Sequence, residues 1–311
     1  MDSRIAIIDL GTNTFHLLIV DLNKSGYRFV YRERESVKIG KHGINKDIIT
    51  DSALQRALKT VSSFKQSIDE LKVQKVYAFG TSALRNAKNC QEVVDRIRNE
   101  DGFNVNVISG EEEARLIYLG VKSAVQLGNE KSLIIDIGGG SVEFIIGNDS
   151  EIFWKHSFEI GAQRLLEEFH KNDPIKPVEI QALNEHFDAM LPPLFEALQQ
   201  HQPITLVGSS GTFDTLSDIY CIKHGIMKDN DAPETPLSFD GFHEIYEELV
   251  IKNRADRMNI PGMIELRVDM IVVACALIDY LITKYTFKKI RVSSYALKEG
   301  VLADIMEASP E

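Results

Sequence analysis

The sequence predicts a mixed α/β protein made of two similar halves, each a five-stranded sheet flanked by helices, with a cleft between them. Three observations predict this. The stretch IAIIDLGTNT at residues 5–14 returns as SLIIDIGGGS at residues 132–141, so that Asp9 matches Asp136, Gly11 matches Gly138 and Thr14 matches Ser141 at one constant offset. Each copy is followed by a second apolar run, FHLLIV or VEFIIG, and then by a third strand-like segment, as in a meander. Beyond each meander, segments with helical spacing alternate with short apolar runs, the pattern of parallel crossover units.

In chain order, RIAIIDL, FHLLIVDL and YRFVYRERESVKI give the first three strands, with the turn NKSG before the third. SALQRALKTVSSFKQSIDELK, residues 52–72, places its apolar residues at helical intervals. VYAFG is a short buried strand, NCQEVVDRIRNEDG a helix closed by Gly102, and FNVNVIS a strand. GEEEARLIYLGVKSAVQL is a helix with acids in its first turn, where the helix dipole favours them. The boundary between the halves is placed near residue 125, at AVQLGNEK, giving halves 1–125 and 126–311. SLIIDIG, SVEFIIGN and IFWKHSFEIG then form strands, AQRLLEEFH and VEIQALNEHFDAMLPPLFEAL helices, and ITLVG a strand. TFDTLSDIYCIKHG and FDGFHEIYEELVIKN read as helices on either side of a long surface loop, residues 223–238. A long helix ELRVDMIVVACALIDYLITKY, a strand KIRVS and a helix ALKEGVLADIMEA complete the chain.

Composition narrows the class. The 311 residues are 44% hydrophobic and 26% charged, the profile of a soluble globular protein with room for two domains. The net charge of −11 argues against nonspecific nucleic-acid binding over the whole surface. It also means that a polyanion needs a local basic cleft or a divalent cation to be held. Cys90, Cys221 and Cys275 are odd in number and far apart, and are expected to be free thiols in a reducing cytoplasm. No secretory signal is expected at the N-terminus. The longest apolar run, residues 270–282, is too short to cross a bilayer and contains Asp279, so it reads as a core helix.

The repeated phrase has a chemical reading. Asp stands where a strand ends, Gly permits a tight turn, and the small residues that follow let backbone N–H groups approach a ligand. Such a turn cradles phosphate. The carboxylates of Asp9 and Asp136 would repel phosphate directly, but they suit a divalent cation that bridges to phosphate oxygens. Two turns facing each other, Gly11, Thr12, Asn13 and Thr14 against Gly138, Gly139, Gly140 and Ser141, would clamp a phosphate chain from both sides. An ordinary glycine-containing hairpin is the alternative for either turn taken singly.

Paired phosphate turns in duplicated halves resemble the superfamily of actin, sugar kinases and heat-shock chaperone ATPases, with its ribonuclease H-like domains. FGTSALRNAKN (79–89), VISGEEEARLIYLGV (107–121), LVGSSGT (206–212) and VSSYALKEGVL (292–302), together with the two phrases, resemble the exopolyphosphatase and guanosine pentaphosphate phosphatase family from end to end. The length resembles the family's short, two-domain form.

The resemblance implies hydrolysis of a terminal phosphoanhydride, most simply inorganic polyphosphate shortened by one orthophosphate per step. It implies Mg2+ or another divalent cation as cofactor, a cytoplasmic location and a homodimer as a candidate assembly. Guanosine pentaphosphate is the alternative substrate. A sugar- or acetate-type kinase and a noncatalytic, ATP-binding scaffold or sensor are the rival classes.

The family's catalytic glutamate falls on Glu112 or Glu113, with Glu113 favoured as the group that aims or deprotonates water. Glu111 is assigned to dipole compensation. Arg85 is expected to bind phosphate oxygens through its planar fork, and Thr81 and Ser82 to cap the helix after them. Gly208, Ser209 and Ser210 are placed among the phosphate-binding residues; with Gly211 and Thr212 they are expected to line the cleft, with capping of a helix as the alternative. Lys298 and His16 stand where the family pattern shows Arg. Lys38, Lys41, His42 and Arg267 are candidate channel cations, with a solvated surface position as the alternative for each.

Overall fold

A computed structural model describes residues 3–23, 26–229 and 231–308. Lys24 and Ser25 of the expected NKSG turn lie outside the described residues. The first half contains β1 (Ser3–Leu10), β2 (Thr14–Asn23), β3 (Gly26–Ser36), α1 (Asp51–Glu70), β4 (Lys75–Gly80), α2 (Ser82–Asn86), α3 (Cys90–Asp101), β5 (Val105–Val107) and α4 (Gly110–Ala124). The second contains β6 (Ser132–Ile137), β7 (Val142–Gly147), β8 (Ile152–Phe158), α5 (Ala162–Phe169), α6 (Pro177–Met190), α7 (Pro192–His201), β9 (Thr205–Ser209), α8 (Ser210–Lys223), β10 (Glu234–Thr235), α9 (Phe239–Ile251), α10 (Arg254–Met258), α11 (Ile271–Lys284), β11 (Lys289–Ser293) and α12 (Leu297–Ala308).

The first sheet has the order β3-β2-β1-β4-β5 and the second β10-β11-β9-β6-β7-β8. In each, the meander is antiparallel and the later crossover strands join parallel to it: β4 to β1, and β9 to β6. β1 and β6 thus lie inside their sheets, and their aliphatic runs are almost wholly buried.

Four expectations need correction. The second sheet has six strands, because Glu234 and Thr235 of the expected surface loop pair with the edge strand β11. The helix expected over VEIQALNEHFDAMLPPLFEAL is two helices, α6 and α7. It breaks at Leu191, since Pro192 at the first turn of α7 has no N–H to continue the ladder. Residues 265–270, expected to open the long apolar helix, form turns, and α11 begins at Ile271. Thr81 precedes α2 without a side-chain cap bond, so its hydroxyl and that of Ser82 are not spent on the helix end.

Two cores fill the faces of the sheets away from each other, and a third lies between the halves. The third gathers Ile5, Ile7, Leu18 and Val20 of the first sheet, Ile134, Ile145 and Val207 of the second, and the apolar stripes of α4 and α12. α12 therefore returns to β1. α4 and α12 touch backbone to backbone, for a Cβ on Gly300 would collide with the Leu116 carbonyl, and one on Gly120 with that of Ala296. The two helices run antiparallel, and Glu113 of α4 and Lys298 of α12 both face one cavity.

Candidate active site

The two repeated turns fold alike. Gly11 N–H donates to the Thr14 carbonyl at 3.2 Å, and Gly138 N–H to that of Ser141 at 3.0 Å. Their other carbonyls are taken from behind. Thr12 O accepts from Gly40 N–H, and Asn13 O from Val37 and Lys38 N–H. In the second turn, Gly138, Gly139 and Gly140 carbonyls accept from Ala162, Gln163 and Gly161 N–H at the start of α5, and Arg164 Nε adds a bond to Gly140 O. With the carbonyls turned outward, the N–H groups of Thr12, Asn13, Gly139 and Gly140 make no hydrogen bond to protein among the described residues. They are the donors an anion requires.

The turns meet. A Cβ on Gly139 would collide with the Asn13 amide, and one on Gly140 would collide with Ser82 Oγ and lie 2.7 Å from Thr12 Oγ1. Around this contact is a cavity of about 130 Å3, lined by both turns and by Asp9, Asp136, Glu113, Glu143, His16, Arg34, Thr81, Ser82, Ser210, Gly211, Asp214, Arg267, Ser294 and Lys298.

Buried charge dominates this space. Burial pushes Asp9 up to about 7, helped by Glu113 and opposed by Lys298. Its Oδ1 is buried without a partner, as are Thr14 Oγ1 and Asn13 Oδ1, while the Asn13 amide donates to Met270 Sδ at 2.8 Å. Asp136 is also raised by burial, against hydrogen bonds from Ser210 and Ser209, the latter at 3.2 Å. Glu143, opposite Asp136 in the β6–β7 ladder, is raised well above the ordinary range by burial and by Glu113 and Asp136. It accepts from Ser157 Oγ at 2.7 Å.

On the cationic side, burial lowers Arg267, whose Nε has no partner. Lys298 loses to burial but gains more from Glu299 and Asp9, and its value is raised. His16 is held neutral by burial and by Lys298 and Arg267. An orphaned carboxylate oxygen beside a second buried carboxylate fits a hard divalent cation. No group of three or more His, Cys, Asp or Glu converges in metal-binding geometry among the described residues. Asp9 and Asp136 would therefore share such an ion with water and substrate oxygens, as Mg2+ commonly is shared.

Geometry separates the two candidate glutamates. Glu113 is 7% exposed and lines the cavity, where burial raises it to about 7 against the pull of Arg85. Glu112 points away and forms a bidentate pair with Arg115, which also holds Asp304. Glu111 pairs with Lys155. Arg85, expected on phosphate, is engaged by carboxylates: Nη1 to Glu113 at 2.7 Å and Nη2 to Glu159 at 3.0 Å.

Gly208 and Ser209 do not line the cavity. Gly208 lies within β9 under the Phe213 ring, and Ser209 supports Asp136 from behind. Ser210 and Gly211 do line it, whereas Thr212 is buried in α8. Of the candidate cations, Arg267 and Lys298 reach the cavity. Lys38 lies 3.9 Å from Asp269, Lys41 is exposed, and His42 reaches the second half through its backbone N–H, which donates to Glu167.

Sequence reasoning missed Glu143, Arg34, Asp214 and Glu159. For Glu143 a signal was present, since it occupies in the second phrase the place of His16 in the first. The others come from segments without a motif.

A family model described as the Ppx/GppA phosphatase family matches residues 18–309. The chain is similar to a crystal structure of an exopolyphosphatase from Cytophaga hutchinsonii, at 44% identity over 99% of both chains, with a TM-score of 0.96. It is 26% identical to exopolyphosphatase 1 of Mycobacterium bovis, over 96% of this chain and 87% of that one. It is also 26% identical to the guanosine-5'-triphosphate,3'-diphosphate pyrophosphatase of Photobacterium profundum, over 97% of this chain but 59% of that longer protein. The duplicated, two-domain α/β fold expected from the sequence stands.

Proposed function

The chain belongs to the Ppx/GppA phosphatase family, and from that premise we propose that it is an exopolyphosphatase, releasing orthophosphate from the end of inorganic polyphosphate with a divalent cation, Mg2+ first, at Asp9 and Asp136. The observation that carries this reading is the meeting of two turns with the same hydrogen-bond skeleton around a cavity walled by Glu113. The cavity, about 130 Å3, is well below the ~300–1,000 Å3 of pockets that enclose drug-sized ligands. It suits a terminal phosphoryl group with water and a cation, and leaves the rest of the substrate outside.

Each residue then has a task. The unpaired N–H groups of Thr12, Asn13, Gly139 and Gly140 bind the oxygens of the transferred group, where charge collects in the transition state. Glu113 accepts a proton from the water as its oxygen attacks the terminal phosphorus. The bond from that phosphorus to the bridging oxygen breaks, and the chain leaves one unit shorter. Arg85 orients the Glu113 carboxylate. Arg267, Arg34 and Lys298 counter the charge of the phosphates. A bound divalent cation would neutralise the carboxylate pair and polarise phosphate oxygens.

Guanosine pentaphosphate is the second reading, favoured by the similarity to the Photobacterium profundum protein. It also ends in a phosphoanhydride that fits the same space. Three free cysteines, two of them buried, support a cytoplasmic setting. The test is orthophosphate release with Mg2+ from long polyphosphate, tripolyphosphate, guanosine pentaphosphate and ATP in parallel. Fastest release from polyphosphate is the expected result, and release from none of the four defeats the enzyme reading in favour of a scaffold or sensor.

A further inference from the structure

Glu159 lies between β8 and α5, in the second half by sequence, but its partners come from both halves. Ser82 Oγ donates to its Oε2 at 2.6 Å, Arg85 Nη2 to Oε1 at 3.0 Å, and Arg164 Nη2 to Oε2 at 3.3 Å. Two guanidinium forks and a hydroxyl converging on a pair of oxygens form the donor set that binds phosphate. One of these donors, Ser82, also lines the catalytic cavity and abuts Gly140 of the second turn. The donors are held in place independently of Glu159. Arg85 keeps its Nη1 bond to Glu113, and Arg164 keeps Gly140 O at 2.9 Å and Ile44 O at 2.8 Å. Glu159 is the loosest member, its side chain 37% exposed against 16% for Arg85 and 12% for Arg164. Burial raises its carboxyl, but hydrogen bonds from Ser82 and Asn86 and the Arg85 charge outweigh this and hold it ionised.

We propose that Glu159 is an internal competitor of the substrate: its carboxylate occupies an anion site made by Ser82, Arg85 and Arg164, and an oxygen of the terminal phosphoanhydride displaces it. This rests on the phosphoanhydride reading above. The site stays organised while Glu159 swings out, so the displacement appears as weakened substrate affinity and leaves the chemical step alone. It also discriminates between substrates, since a weakly charged anion cannot exchange for the carboxylate as a polyphosphate end does.

The test compares wild type with Glu159→Gln and Glu159→Asp, the second too short to reach Ser82 and Arg85 together. KM and kcat for tripolyphosphate are measured with Mg2+, Kd for tripolyphosphate by calorimetry without divalent cation, and folding by thermal melting. Glu159→Gln is expected to lower KM and Kd by about twofold to fivefold, the fold-change of losing one partly exposed ion pair from the competing state. Its kcat should stay within about twofold, a change far below what loss of a catalytic group gives. Glu159→Asp should move KM in the same direction by less, and the gain should shrink in high salt. If either folded variant leaves KM and Kd unchanged or raises them, Glu159 is a clasp of the closed cleft and the proposal is overturned. If wild type turns over no phosphoanhydride at all, the functional reading fails first and takes this one with it.

Discussion

The turn after β1 and the turn after β6 share one hydrogen-bond skeleton but are backed and faced differently. The first is covered by an irregular segment, residues 37–40, and its Asp9 stands opposite His16 in the β-ladder. The second is covered by the N-terminus of α5, and its Asp136 stands opposite Glu143. His16 is held neutral and Glu143 is pushed well above the usual carboxylate range. The repeat therefore supplies two similar cradles, and the matched position carries a buried carboxyl only in the second. What makes them one site is a residue outside the repeat, Glu113 on α4.

If Glu113 unites the cradles, its loss should have the largest effect. Glu113→Gln keeps shape and removes the base, and kcat should fall by ~10²–10⁴, while Glu112→Gln, on the far face of α4, should cost less than about threefold, outside that range. Reversed results would move the catalytic role to Glu112, and two small effects would remove it from this helix.

Asp9→Asn and Asp136→Asn ask whether the cradles share the cation. Both should lower activity and raise the Mg2+ concentration for half-maximal rate by roughly tenfold or more, comparable to losses at metal-site partners. A variant with normal Mg2+ dependence would make that aspartate structural.

The matched pair can be compared through heat stability. Glu143→Gln removes a buried carboxyl that burial disfavours ionising yet leaves an acceptor for Ser157, and should raise Tm by about 2–4 °C in metal-free buffer at pH 8. His16→Gln replaces a neutral side chain, and should shift Tm by less than that. Equal shifts would mean that the two walls do not differ electrostatically.

Heat stability also answers to pH. Asp9 and Glu113 are raised to about 7 in the folded protein by burial, so the fold favours their protonated forms. The stability they contribute is complete below about pH 4, the ordinary carboxylate range, and is lost as pH rises through about 7. Without metal, Tm at pH 5.5 should exceed Tm at pH 8 by a few degrees, and Mg2+ with phosphate should narrow the gap. A higher Tm at pH 8 would contradict the buried-carboxylate account.

The cradles were legible because strand, turn and strand are contiguous in the chain and their geometry is local. Glu113 was reached through the family resemblance alone, paired with Glu112, and it is burial against the cavity that separates the two. Glu159 was not legible, since its bonds to Ser82 and Arg85 depend on how far the halves close, which no local pattern encodes. β10 escaped because two residues carry no periodicity and only the edge of β11 makes them a strand. The Pro192–Pro193 pair did carry the signal that ends α6, but apolar spacing across it concealed the break. Gly208 looked like part of a ligand loop because of its glycine- and serine-rich company, whereas its missing side chain makes room for Phe213.

The return of α12 to β1 also bears on how the protein is made. Ile5, Ile7, Leu18 and Val20 are synthesised long before Leu297, Val301 and Leu302, which complete their cover. At ~5–20 residues per second, a ribosome leaves that apolar face unfinished for on the order of 15–60 s. α4 shields part of it meanwhile, but the groove beside Gly120 closes only when α12 emerges. A chain cut short before residue 297 would keep the α4 side of that core but leave the α12 side of the face uncovered.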